Sequence, residues 1–134
     1  MRFAYLFSFL LLFFLAGSCK KDQDPTLETS LFGIDWDRAS TQPDAEGNYT
    51  YKPRGTFTSS GWGRDGFRLE SDGTFVWYTS GLADGALDIS GTWTSEDNQG
   101  FRLKPNDTGI PEFILVTKPV QNNMVQARYI FRLY

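Results

Sequence analysis

Residues Gly61 to Gly66 read GWGRDG, the G-x-G-x-x-G spacing that cradles a pyrophosphate in dinucleotide-binding proteins. That chemistry needs a strand before the glycines and a helix after them, because the helix N-terminus receives the phosphates. Here FRLESDGTF follows, which reads as a strand and a turn. Gly61, Gly63 and Gly66 are therefore expected to let the chain bend sharply into that strand. Acid pairs are the next candidates: Asp35 with Asp37, Asp44 with Glu46, and Glu96 with Asp97. Two carboxylates can do glycosidase or aspartic-protease work, but all six fall in stretches that read as turns or loops, where acids are solvated. A calcium loop would draw on the same residue types, and no EF-hand spacing occurs. The chain has no histidine, which removes the serine and cysteine triads and the common zinc and iron sites. A non-catalytic protein without metal or cofactor is the expectation.

The one cysteine has a different setting. Arg2 is the only charge ahead of an apolar run, Phe3 to Phe7 and Phe9 to Ala16, interrupted only by Ser8. A positive start followed by an apolar segment of this length is the pattern of a secretory signal, and it falls short of the ~20 residues that span a bilayer. The run ends in LAGSC, Leu15 to Cys19, and charge returns at once with Lys20 and Lys21. This stretch resembles the lipobox of bacterial lipoproteins. The resemblance implies cleavage after Ser18, residues 1–18 as signal peptide, and Cys19 as a lipidated N-terminus. Small side chains at Ala16, Gly17 and Ser18 give a peptidase access to the backbone, and only a thiol can form the thioether. An ordinary signal peptide beside a stray cysteine is the alternative. At about 0.8 kcal/mol per buried methylene, two or more acyl chains would make an anchor to the lipid bilayer effectively permanent. Localisation in the bacterial cell envelope follows, and Lys20 rather than Asp after Cys19 points, by analogy with lipoprotein sorting, to the outer membrane.

From Cys19 onward, 12 Lys and Arg stand against 16 Asp and Glu, a formal balance of −4. Nucleic acid is not an expected partner, since its binding needs clustered positive charge. Residues 19–30 read as a polar tether, with Pro25 discouraging a helix, and residues 31–134 as one domain with one modest core. No disulfide is available to it, so that core must carry the fold.

Within the domain, no window keeps the apolar spacing of a helix, whereas alternation with period two is frequent. Near the C-terminus Val125, Ala127, Tyr129, Phe131 and Leu133 share one face, and Ile130 is the apolar exception on the other. Phe67 and Leu69, then Phe75 and Trp77, alternate around an Asp72–Gly73 turn and predict a hairpin. LDISGTWTS, GFRLKP and EFILVTKP add strands, Gly91 marks a bulge or bend, and LFGIDW predicts an opening strand followed by a long loop. Six to eight antiparallel strands in about 104 residues predict an all-β fold, a small up-and-down barrel or a strongly curled meander. Phe67, Phe75, Trp93 and Phe131 are expected to converge in its centre.

Tyr51 to Trp93 resembles the core of a small, functionally uncharacterised family of lipocalin-like bacterial proteins. The matching residues are Arg64, Gly66 with Phe67, Asp72 to Phe75, Asp84, and Gly91 with Trp93. The likeness covers about a third of the chain and implies a barrel but no activity. Arg64 and Asp84 flank the same hairpin, so they either pair near one barrel end or stay as two solvated loop charges. The aromatic load gives the remaining signal. Trp36, Trp62, Trp77 and Trp93 either line a cavity or fill the barrel. Trp62, Trp77, Trp93 and Tyr78 are the candidate contact residues. Two functions stay open: a lipoprotein holding a small apolar ligand or a glycan at the barrel end, or a module that displays a surface to another envelope protein.

Overall fold

The computed structural model describes residues 29–58, 64–81, 85–97 and 100–132. The signal peptide, Cys19 and most of the tether lie outside them, as do Gly61, Trp62, Gly63 and Asp84. Eight antiparallel strands close into a barrel: β1 (Trp36–Arg38), β2 (Tyr49–Pro53), β3 (Gly66–Leu69), β4 (Thr74–Ser80), β5 (Ala86–Glu96), β6 (Gly100–Pro105), β7 (Phe113–Thr117) and β8 (Val125–Phe131). The expected all-β, single-barrel class is what the chain adopts.

Strand order around the barrel is β1-β2-β8-β7-β6-β5-β4-β3. Strands β3 to β8 form a continuous meander, and the β1–β2 hairpin enters the gap between β8 and β3 in reverse. Strands β2 and β3, consecutive in the chain, are therefore separated by β1 in the barrel. Closing the sheet this way pairs every edge, which removes the exposed hydrogen-bonding groups that invite aggregation.

Local chemistry explains the elements. In the β3–β4 turn, Gly73 takes φ +90° and donates to Glu70 O at 3.1 Å. Asp72 Oδ1 accepts from Thr74 N and Oγ1 at 3.0 and 2.6 Å. In the β7–β8 turn, Asn122 and Asn123 both have positive φ (51° and 58°), the two-residue primed turn whose twist suits a hairpin. Neither β2 nor this asparagine turn was singled out by the sequence patterns. LFGIDW is not the opening strand expected. Thr29–Leu31 forms a 3-10 helix, Gly33 turns the chain at φ +74°, and the strand begins only at Trp36.

The interior is filled by side chains. Trp36, Tyr51, Phe67, Leu69, Phe75, Phe101, Leu103, Phe113, Leu115, Val125 and Ala127 are buried, with Leu31 beneath them. Each such large apolar group removed from water contributes about 1.5–3 kcal/mol. The N-terminal segment plugs one end of the barrel. Trp36 Nε1 donates to Leu31 O at 2.9 Å, and Phe32 stacks on Trp93 at 5.4 Å with its edge toward Phe101. Phe67 and Phe75 converge as expected, whereas Trp93 is only partly buried at the plugged end and Phe131 lies at the rim, touching the core through Phe113 and its neighbours. Phe131 is 54% exposed at the opposite end.

Candidate functional site

Register fixes which residues meet at the barrel end opposite the plug. Arg38 ends β1, Tyr49 begins β2, Gly66 begins β3, Tyr78 lies near the end of β4, and Phe113 pairs with Phe131. Two clusters face inward there.

The first cluster is aromatic. Trp77, Phe113, Tyr129 and Phe131 form a mutually packed set, with every centroid separation between 4.9 and 6.0 Å. Tilted and edge-on contacts of this kind suit the ring quadrupoles. Phe113 is buried, Trp77 and Tyr129 are half-buried, and Phe131 is the outermost ring. Leu87, across from Thr79 on the neighbouring strand, is 43% exposed at the same end.

The second cluster is polar. The Tyr51 hydroxyl donates to Asp65 Oδ2 at 3.1 Å, and Arg38 Nη1 reaches the same oxygen at 3.4 Å. Arg38 also lies over the Tyr49 ring, 4.8 Å from its centroid. Tyr129 belongs to both clusters, since its hydroxyl donates to Gly66 O at 3.4 Å while its ring joins the aromatic set. Burial raises the Asp65 pKa above the ordinary aspartate value, against the opposing pull of Arg38 and the tyrosine hydroxyls. Burial also pushes the Tyr51 and Tyr129 hydroxyls well up, so both stay protonated donors.

The candidate residues from the sequence do not gather in one place. Trp77 lies at the end opposite the plug and Trp93 at the plugged end, where Trp93 Nε1 donates to Glu70 O at 2.8 Å. Tyr78 points outward yet is only 7% exposed. Arg54 and Arg64 lie over its ring, at 4.4 and 4.7 Å from the centroid, and its hydroxyl donates to Asp35 Oδ1. Both arginines come from the β2–β3 connection, so the pair clasps that connection to the outer wall. Arg64 pairs with Asp88 at 2.6 Å; its expected partner Asp84 lies outside the described residues, as does Trp62.

None of the comparisons with known proteins gave a match: no family model, no curated protein and no solved structure corresponds to this chain.

The acid pairs take up structural work. Asp37 receives Arg54 Nε and Nη2 at 2.9 and 3.0 Å, and it lies within β1 rather than in a loop. Asp35 faces Arg54 and Arg68 at 3.8 and 3.4 Å. Asp44 accepts from the backbone of Glu46 and Asn48, Glu46 pairs with Lys118, and Glu96 pairs with Arg102. Among the described residues no group of three or more potential metal ligands occurs. The GWGRDG stretch ends not in a helix but in β3. Gly66 serves close approach, because a Cβ there would stand 2.3 Å from Trp36 O.

Arg38, Tyr51, Asp65 and Tyr129 were not picked out from the sequence. A signal was present: Tyr51 and Tyr129 occupy inward positions of alternating strands, and a buried phenol needs a partner for its hydroxyl. Asp65 sits inside the very hexapeptide that suggested phosphate chemistry.

Proposed function

We propose that this protein is a non-catalytic lipoprotein of the bacterial envelope, held to the bilayer by acylated Cys19, whose barrel end opposite the plug binds a small ligand with an apolar surface. The observation that carries this reading is Phe131. Phe131, 54% exposed yet with its ring braced by Trp77, Phe113 and Tyr129, is a preformed apolar contact surface. Below it the described core is packed with side chains, so the ligand rests on the barrel end rather than in a deep calyx. Trp77 retains a role as a contact residue in this reading, while Trp93 belongs to the plug and Tyr78 to the outer clasp.

A second reading draws on Ile130, which points outward from β8 and is 39% exposed beside Phe131. Together with Leu87 these side chains make an apolar rim of the kind that anchors protein contacts, here to another envelope protein. Titrating small apolar ligands while following tryptophan fluorescence, in parallel with capture of envelope proteins, separates the two. Binding of a small molecule that Phe131→Ala weakens supports the first reading. A captured protein released by Phe131→Ala and Ile130→Ala, with no small-molecule response, supports the second.

A further inference from the structure

Resting on the barrel-end reading, we propose that the ligand is a neutral hydroxylated ring, a sugar, which stacks one C–H face on Phe131 and turns its hydroxyl edge to Arg38 and Asp65. Three features of the site point to this class.

The first is adjacency. Tyr129 is shared between the two clusters, with its ring 6.0 Å from Phe131 and its hydroxyl on the Gly66 carbonyl beside Asp65. An apolar platform and a polar corner therefore abut within one small end surface, the combination that fixes orientation in small-molecule sites.

The second is charge. Arg38 and Asp65 neutralise each other, and no further charged side chain is paired to them at that corner in the described residues. A phosphate or carboxylate would meet the Asp65 carboxylate, and an ammonium would meet the Arg38 guanidinium. An uncharged polar ligand pays neither penalty.

The third is hydrogen-bonding type. The Arg38 guanidinium offers donors only and the Asp65 carboxylate acceptors only, and their side chains keep 32% and 24% exposure. Adjacent hydroxyls on a sugar are each donor and acceptor, so they can satisfy both groups at once. A plain phenol or aliphatic alcohol has a single hydroxyl, which can bridge the pair once but leaves the remaining guanidinium N–H groups and carboxylate lone pairs to water.

The test uses the full chain in a polyoxyethylene detergent, which carries no sugar headgroup. The Trp77 indole N–H resonance is followed while methyl hexosides are titrated, with cyclohexanol and p-cresol as one-hydroxyl arms. The expected result is a saturable Trp77 shift with at least one hexoside, weakened at least tenfold by Phe131→Ala and by Asp65→Asn. Phe131→Trp is expected to retain binding, and Ile130→Ala to leave it unchanged. Unaltered dispersion of the remaining indole signals checks that Asp65→Asn is folded, and Arg38→Gln repeats the test from the other side of the pair. A Trp77 shift with cyclohexanol or p-cresol alone would overturn the sugar assignment and leave the barrel-end site standing. Silence of Trp77 toward every small molecule would overturn both.

Discussion

Phe75 and Gly91 are in direct opposition across β4 and β5: a Cβ on the glycine would stand 2.7 Å from Phe75 Cε1 and 2.1 Å from Lys104 O. Gly91 is paired to Phe75 on one side and to Pro105 on the other. It sits near the middle of the longest strand, where the barrel wall passes from one neighbour to the next. The absent side chain lets the phenylalanine ring and the β6 backbone close in together.

Gly91→Ala should therefore destabilise the fold strongly, although alanine is the smallest possible addition. Overpacking a filled core costs about 1–3 kcal/mol, and the nearest atom here is backbone, which cannot rotate away. The denaturation midpoint should fall accordingly. An unchanged midpoint would show that β5 and β6 can separate at no cost.

The clasp over Tyr78 should show as a coupling energy. Arg54 and Tyr78 are expected to give about 0.5–1 kcal/mol in a double-mutant cycle with alanine, the range for a partly exposed cation over a ring. Tyr78→Phe should retain the ring contact and lose the donation to Asp35, costing about 0.5–1.5 kcal/mol for one hydrogen bond. Strict additivity of Arg54→Ala and Tyr78→Ala would argue that the arginine merely rests there.

Arg64 and Asp88 should couple weakly. The Asp88 side chain is 55% exposed, and exposed ion pairs contribute about 0.2–1 kcal/mol that salt screens further. Cycles of Arg64→Ala with Asp88→Ala and with Asp84→Ala will divide the arginine between the partner seen here and the one expected from sequence. A larger coupling to Asp84 would move the pair to the β4–β5 turn.

Asp65 should titrate above the ordinary aspartate range, followed by its side-chain carbonyl carbon in NMR. Because its folded pKa is raised, the folded chain holds that proton more tightly than the unfolded chain does. Its contribution to stability is thus fullest below the unfolded aspartate pKa and is lost as pH rises through the raised value. Tyr51→Phe and Arg38→Gln each remove a group that favours the carboxylate, so both should push the pKa higher still. An Asp65 that titrates at or below the usual value would mean that water reaches the corner freely.

The plug should be separable from the ring end. Trp36→Phe removes the indole donation to Leu31 O and should cost about 1 kcal/mol or more, while leaving the environment of Trp77 unchanged in indole spectra. A shift at Trp77 would show that the two ends communicate through the core.

Period-two alternation was sufficient to predict strands, the Asp72–Gly73 turn and an antiparallel barrel, because strand pleating and turn chemistry are local consequences of residue type. The alternating set Phe67, Leu69, Phe75, Val125 and Ala127 was legible for the same reason. Where alternation met closure, it could not decide the outcome. Phe131 continues the inward face of β8, yet it runs past the point where the barrel has neighbours to cover it. Tyr78 lies on the outward face, yet two arginines from a distant connection bury it. Neither the reversed insertion of β1 and β2 nor the meeting of Arg38 with Asp65 leaves a local trace, since both depend on which strands become neighbours when the sheet closes. Residue type alone thus determined most of the strands and their two faces. Which rings stay exposed, which charges meet and which end of the barrel the N-terminal segment plugs were decided only by closure, because burial and pairing are properties of neighbours in space.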